Sequence, residues 1–245
     1  MIKKAMILAA GLGTRLGDVT LNKPKALVEI GGEPMLFRLL KKMKKAGIEQ
    51  VVINVHHHAR QIMEEVRKQG DFGMEITFSD ESDQLLDTGG ALVKAMDFFT
   101  GDQPILIHNA DILTNLNLND LLQFHVHQQA EATLYISNRA SSRALLFDDD
   151  KLLTGWANLK TNNFKWVNRE KLNYKPLAFN GVWITMPHFV KEIPFTGKFS
   201  IIDAWLSMAS RHKIIGFENN TVQWFDLGTP EKIAFAEEFL KMNPL

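Results

Sequence analysis

The chain has 245 residues, with 28 Lys plus Arg balanced by 28 Asp plus Glu, and no cysteine. That length accommodates one α/β domain with a sizeable core, and no Gly/Ser- or Pro-rich linker divides it. Zero formal charge without a long basic run speaks against a nucleic-acid or membrane partner, and the lack of cysteine excludes disulfides, thiolate metal sites and cysteine nucleophiles.

Taken in chain order, the first half alternates short β-rich runs with amphipathic helical patterns: 4–9 then 35–46, 51–55 then 58–69, 74–79 then 89–99, 104–108 then 118–129, and 131–137. The first apolar run is too short for a signal peptide or membrane span, so a cytoplasmic location is expected. The alternation predicts right-handed βαβ units in a single doubly wound, mostly parallel, Rossmann-like α/β sheet. Run 104–108 is continuously apolar, as a central strand covered on both faces should be. Lys41, Lys42, Lys44 and Lys45 fall at helical spacing around Leu39, Leu40 and Met43 and read as a solvated helix face.

The second half changes character. Short runs at 143–147, 152–157 and 164–167, with turn signals at 148–150 and 162–163, predict a small antiparallel insertion. A strand at 177–185 and a helix at 201–211 follow, the latter opened by Ser200 and Asp203 in a capping-box spacing. Strands near 213–217 and 222–226 precede a last helix from Pro230, a residue suited to the first turn because its missing N–H costs nothing there.

The chemistry-bearing residues begin where the first strand empties into Gly11-Leu12-Gly13-Thr14-Arg15-Leu16, followed by Pro24-Lys25. Two glycines let the backbone turn tightly and expose N–H groups, and Thr14, Arg15 and Lys25 add a hydroxyl and two positive charges, a cradle for a polyphosphate. The dinucleotide-binding fingerprint is not met, since Leu16 stands where a third glycine belongs, and no Gly-x-x-x-x-Gly-Lys-Ser/Thr occurs. In an open sheet ligands bind beyond the carboxyl ends of the strands, where Gly11–Arg15 and Asn109–Asp111 both fall. Asp111 and Asp226 end strand-like runs and suit Mg2+, which takes few protein carboxylates and completes its shell with water and phosphates. Thr88-Gly89-Gly90 opens a helix, reading equally as a helix start packed closely or as a place for a flat base against backbone. His56, His57 and His58 are adjacent and so diverge, while His125 and His127 do not share a helix face; these read as a loop and as helix surface.

Together the motifs resemble the sugar-1-phosphate nucleotidyltransferases, whose signature is Gly-x-Gly-Thr-Arg-Leu followed by Pro-Lys-Pro-Leu. Here these are Gly11–Leu16 and Pro24-Lys25-Ala26-Leu27. The likeness continues through Gly31–Leu36, Thr88–Ala91, Asn109-Ala110-Asp111 and Trp224–Pro230. The resemblance implies transfer of a nucleotide from an NTP to a sugar 1-phosphate with release of pyrophosphate, Mg2+ as cofactor, and no covalent intermediate. It implies one nucleotidyltransferase domain over 1–245, with a nucleotide-binding half at 1–137, a sugar-binding half at 138–226 and a terminal helix at 227–245. Residue by residue it implies that Ala10, Gly11, Gly13, Thr14 and Asn109 contact the nucleotide and Gly89 the base. It further implies that Arg15 and Lys25 neutralise phosphate charge, Gly181 contacts the sugar, and Asp111 with Asp226 holds the metal.

Departures from the pattern bear on the sugar. Phe179-Asn180-Gly181 stands where many hexose members have Asn-x-Gly, and Lys175-Pro176 only partly echoes Glu-Lys-Pro. Phe-x-Gly and the short length are similar to the branch using UTP and N-acetylmuramate 1-phosphate, while Lys23–Leu27 is similar to guanylyltransferases using mannose or heptose 1-phosphate. Two rival readings are a glycosyltransferase of related fold and a non-catalytic sensor of nucleotide sugars. The former usually shows an Asp-x-Asp motif, whereas Asp148-Asp149-Asp150 falls in a predicted turn.

Overall fold

The structure is a computed structural model that describes residues 2–168 and 173–242. Its elements are β1 (Lys4–Leu8), β2 (Glu29–Ile30), β3 (Glu33–Pro34), α1 (Met35–Lys45), β4 (Gln50–Val55), α2 (Ala59–Lys68), β5 (Glu75–Asp80), α3 (Asp87–Lys94), β6 (Ile105–Asn109), β7 (Ile112–Thr114) and α4 (Leu118–Gln128). They continue with β8 (Ala132–Ser137), β9 (Arg143–Phe147), β10 (Leu153–Asn158), β11 (Asn163–Trp166), β12 (Lys175–Thr185), α5 (Pro187–Lys191), α6 (Ile201–Met208), β13 (Ile214–Glu218), β14 (Trp224–Asp226) and α7 (Pro230–Met242). The result is a mixed α/β fold with a central, mostly parallel sheet and small antiparallel sheets, as the alternation of runs predicts.

The chain divides into two compact units that alternate along the sequence. One comprises Met1–Leu85, Ile107–Leu116 and Val222–Leu245, the other Leu86–Leu106 and Asn117–Thr221.

In the first unit β1 pairs parallel with β4, Lys4 opposite Gln50 through Leu8 opposite Asn54, and β4 pairs parallel with β5. Ala5, Met6, Ile7 and Ile53 have no exposed surface, which explains why these strands read as unbroken apolar runs. α1 buries Leu36, Leu40 and Met43 on one face and α2 buries Ile62 and Val66; each such side chain contributes about 1.5–3 kcal/mol of transfer free energy. A second cluster joins Leu16, Val28, Ile30 and Met35 to Leu227, Ala236 and Leu240 of the C-terminal segment.

In the second unit β12 pairs antiparallel with β8 and β9, and β13 lies parallel to β8. β9, β10 and β11 form an antiparallel meander, the predicted insertion. Its core carries large aromatics: Phe179 meets Trp183 and Trp205 edge-on at 5.7 and 5.1 Å between ring centroids.

Some details depart from the sequence reading. His125 is core and not helix surface: α4 turns it inward, where Nδ1 meets Thr133 Oγ1 at 2.8 Å and Nε2 meets Met186 Sδ at 3.4 Å. Lys42 is not part of a solvated face, since its ammonium folds in to donate to the Thr114 carbonyl. Ser200 does cap α6 by accepting from the Ile202 amide at 3.3 Å, but Asp203 pairs with Lys165 at 2.9 Å and closes no reciprocal box. The β2–β3 hairpin, β7 and α5 are too short to carry a periodic signal. Among the described residues no helix is long and apolar enough to cross a membrane.

Candidate active site

The loop after β1 is anchored before it turns. The Ala9 amide donates to Asn54 Oδ1 at 2.7 Å, and Asn54 Nδ2 donates to Glu81 Oε1 at 2.8 Å; both side chains are buried. His56 Nδ1 meets the Glu81 carbonyl at 2.6 Å. This relay across the ends of β1, β4 and β5 fixes where Ala10 and Gly11 leave the sheet. Its one signal in the sequence is the lone polar residue in the otherwise apolar Val51-Val52-Ile53-Asn54-Val55, a residue that belongs to no motif.

Gly13 then takes the left-handed conformation (φ +70) and accepts at its carbonyl from the Leu16 amide at 2.8 Å and Thr20 Oγ1 at 3.1 Å. A Cβ there would stand 3.0 Å from both Lys25 Cβ and Thr20 Cγ2, so only glycine lets Lys25 approach this closely. Thr14 and Arg15 follow on short 3-10 turns over Thr14–Thr20, exposed to solvent. Pro24, extended, opens a further such turn at Lys25–Leu27 and aims Lys25 inward.

Lys25 Nζ forms an ion pair with Asp111 Oδ2, the lysine side chain only 11% exposed. Asp111 is held from two sides. The Ala110 amide donates to the Leu8 carbonyl at 3.0 Å, and the Leu227 amide donates to the Asp111 carbonyl at 2.9 Å. The second bond continues the antiparallel β7–β14 ribbon, in which Asp226 lies opposite Ile112. Residues far apart in sequence thus bring two carboxylates to one place.

Asp226 Oδ2 accepts from Lys232 Nζ at 2.5 Å, while Oδ1 is buried with no hydrogen-bond partner. Arg15 closes the group: a Cβ on Gly228 would lie 2.7 Å from Asp226 Oδ1 and 2.9 Å from an Arg15 Nη. Burial raises the Asp226 pKa, but the hydrogen bond and charge of Lys232, with the charges of Lys25 and Arg15, outweigh it and hold the carboxyl below its ordinary value. Beneath the motif, His108 Nδ1 meets the Asn109 carbonyl at 2.8 Å, and the Asn109 Oδ1 is buried without a partner.

The two candidate residues of the second unit sit differently. The Gly89 amide donates to the Phe199 carbonyl at 3.0 Å, and a Cβ on Gly89 would come within 2.3 Å of the Phe199 ring; the close approach there is made to the protein's own Phe199. Gly181 has φ +74 and lies where the register of β12 against β8 shifts, between Phe179 and Trp183. Asn180 beside it is buried and accepts from Arg139 Nε at 2.8 Å while donating to Ser137 Oγ at 3.0 Å. Lys175 pairs with Glu218 at 2.8 Å, an acid also bound by Lys151 at 2.9 Å.

The fold is thus a mostly parallel α/β sheet of the nucleotidyltransferase type, with Arg15, Lys25 and two carboxylates gathered around the β7–β14 ribbon. The nucleotidyl transferase family model matches residues 4–145, and the chain belongs to that family; it is a nucleotidyltransferase. It is 28% identical over 241 residues to the N-acetylmuramate alpha-1-phosphate uridylyltransferase of Caulobacter vibrioides, covering 96% of each chain. It is also 28% identical over 233 residues to the mannose-1-phosphate guanylyltransferase catalytic subunit beta of Drosophila pseudoobscura pseudoobscura, covering 93% of this chain and 60% of that protein. Among solved structures, a putative glucose-1-phosphate thymidylyltransferase from Bacillus anthracis superposes with a TM-score of 0.81 at 19% identity, covering 99% of this chain and 96% of that one. That last likeness is one of fold.

Proposed function

We propose that this protein transfers a nucleotide from an NTP to a sugar 1-phosphate, releasing pyrophosphate. The observation that carries the reading is the convergence of Arg15 and Lys25 with Asp111 and Asp226 around the β7–β14 ribbon. In the transfer an oxygen of the sugar phosphate attacks the α-phosphorus, a new P–O bond forms in line, and the bond to the β-phosphate breaks. Lys25 grips the α-phosphate and the incoming phosphate, holding two anions together that would otherwise repel. Arg15 neutralises charge growing on the leaving pyrophosphate, and the amides of Ala10, Gly11, Gly13 and Thr14 cradle its oxygens. Catalysis then rests on positioning and charge, with no covalent enzyme intermediate.

Asp111 and Asp226 are assigned to Mg2+. The fit rests on two hard carboxylates and on the buried, partnerless Asp226 Oδ1. Two carboxylates suit an ion that completes its shell with phosphates and water. When bound, the ion would neutralise phosphate charge and hold the triphosphate in line. Asn109 is assigned to the nucleotide, Gly89 to the base and Gly181 to the sugar on their motifs.

The favoured pair is UTP with N-acetylmuramate 1-phosphate, supported by Phe179-x-Gly181 and by the 28% identity to the Caulobacter uridylyltransferase. GTP with mannose or heptose 1-phosphate is the second reading, supported by Lys23–Leu27 and the guanylyltransferase relative, of whose length this chain spans 60%. A cytoplasmic reaction follows from the NTP substrate. The test is a grid of four NTPs against muramate, mannose, glucose and heptose 1-phosphates, read by pyrophosphate release with Mg2+. Product only with UTP and the muramate compound fits the favoured pair, GTP-dependent product replaces it with the second, and no pyrophosphate with any pair leaves a sensor.

A further inference from the structure

One cation of the site is accounted for by no motif. Lys232 lies in the first turn of α7, and its ammonium meets Asp226 Oδ2 at 2.5 Å. A helix N-terminus is the end where backbone N–H groups point outward and positive charge is disfavoured. The lysine is therefore held there by the carboxylate and against the helix. Its side chain is 49% exposed while that of Asp226 is 23% exposed, so the ammonium can swing into water and the carboxylate stays where β14 puts it. The other oxygen, Oδ1, is buried without a partner on the side of Gly228 and Arg15.

We propose that Lys232 is a tethered counter-ion of Asp226 that competes with the divalent cation and so sets the concentration at which the cation binds. The inference rests on the metal role given to Asp226 above. A divalent ion on this carboxylate meets the full charge of the ammonium a few ångströms away or displaces it; either way binding is weakened by the presence of Lys232. Displacement is easy because the lysine has a solvent path and, among the described residues, pairs with no second acid. Lys25 stands to Asp111 in a similar relation, but it is nearly buried and is assigned to phosphate, so Lys232 is the residue whose removal isolates the competition.

The test is direct binding of Mn2+, without nucleotide, followed by electron paramagnetic resonance in the wild-type protein and in Lys232→Met, Lys232→Arg and Asp226→Asn. Lys232→Met is expected to bind Mn2+ about threefold to tenfold more tightly, the range for loss of a partly exposed charge pair. Lys232→Arg, which keeps the charge, is expected to restore the wild-type affinity, and Asp226→Asn to lose most binding. If Lys232→Met binds no more tightly while Asp226→Asn loses binding, Lys232 merely orients the acid and the proposal fails with the metal role intact. If Asp226→Asn binds as well as wild type, the metal role itself fails and the counter-ion proposal with it. A melting curve for each variant shows that the affinities refer to folded protein.

Discussion

The Leu227 amide donates to the Asp111 carbonyl at 2.9 Å, and through that bond the two acidic motifs become one object. β7 and β14 are three residues each, short enough that neither would persist alone. Pairing gives them a fixed register, and with it Asp111 and Asp226 a fixed separation, on the side where Lys25 and Arg15 arrive.

Arg15→Ala and Lys25→Ala are each expected to lower turnover by roughly 100-fold or more, the usual scale for removing a preorganised charge from a transferring phosphoryl group. Steady-state pyrophosphate release measures this, and near-normal rates in either variant would refute the assignment. Lys25→Arg is expected to rescue poorly, because the lysine Cβ is wedged against Gly13 and its side chain is only 11% exposed.

Gly13→Ala forces a side chain into a left-handed position, at about 1–2 kcal/mol, and crowds Lys25 and Thr20 as well. A lowered melting temperature together with a raised KM for the NTP is the expected result. Gly228→Ala places its Cβ 2.7 Å from Asp226 Oδ1, and should weaken Mn2+ binding more than it lowers stability.

Asn54→Ala is expected to destabilise the fold by about 1–3 kcal/mol, since it deprives the buried Ala9 amide of its acceptor. Urea unfolding reads the loss. Asn54→Asp, isosteric but unable to donate to Glu81, should not restore stability at neutral pH.

Stability should depend on pH through buried imidazoles. Burial, with the nearby Lys42 charge, pushes His108 down to about 3, and burial pushes His125 down to about 4. Between those values and the ordinary imidazole value of about 6.5 the unfolded chain binds the proton and the folded chain does not. Both groups therefore contribute their stability in full above about pH 6.5 and lose it as the pH falls toward 4 and 3. His125→Asn should flatten the acid limb of a melting-temperature profile relative to wild type; an unchanged slope would contradict this. Lys42, pushed down by burial to about 8, acts in the alkaline range by the same sign: stability rises as pH climbs from about 8 to 10.5.

Much of this was legible along the chain because its causes are local. The βαβ alternation is written in hydrophobic period, and Gly13 and Pro24-Lys25 carry their backbone demands in their own residue types. His125 was not legible, since two histidines two apart on a helix say nothing about which one the core takes. Asn54 was not either: a lone polar residue in a strand gains its meaning only from the amide and the acid that reach it from neighbouring strands.

By itself the sequence determined the class of fold and the tight turn of the glycine loop after β1, because periodicity and glycine chemistry act over a few residues. Only the tertiary structure decided that Asp111 and Asp226 share a site, that Lys42 turns inward, and that Lys232 stands at Asp226. Those outcomes depend on strand register and on which charges can find a partner as water is excluded, and both are properties of distant segments meeting.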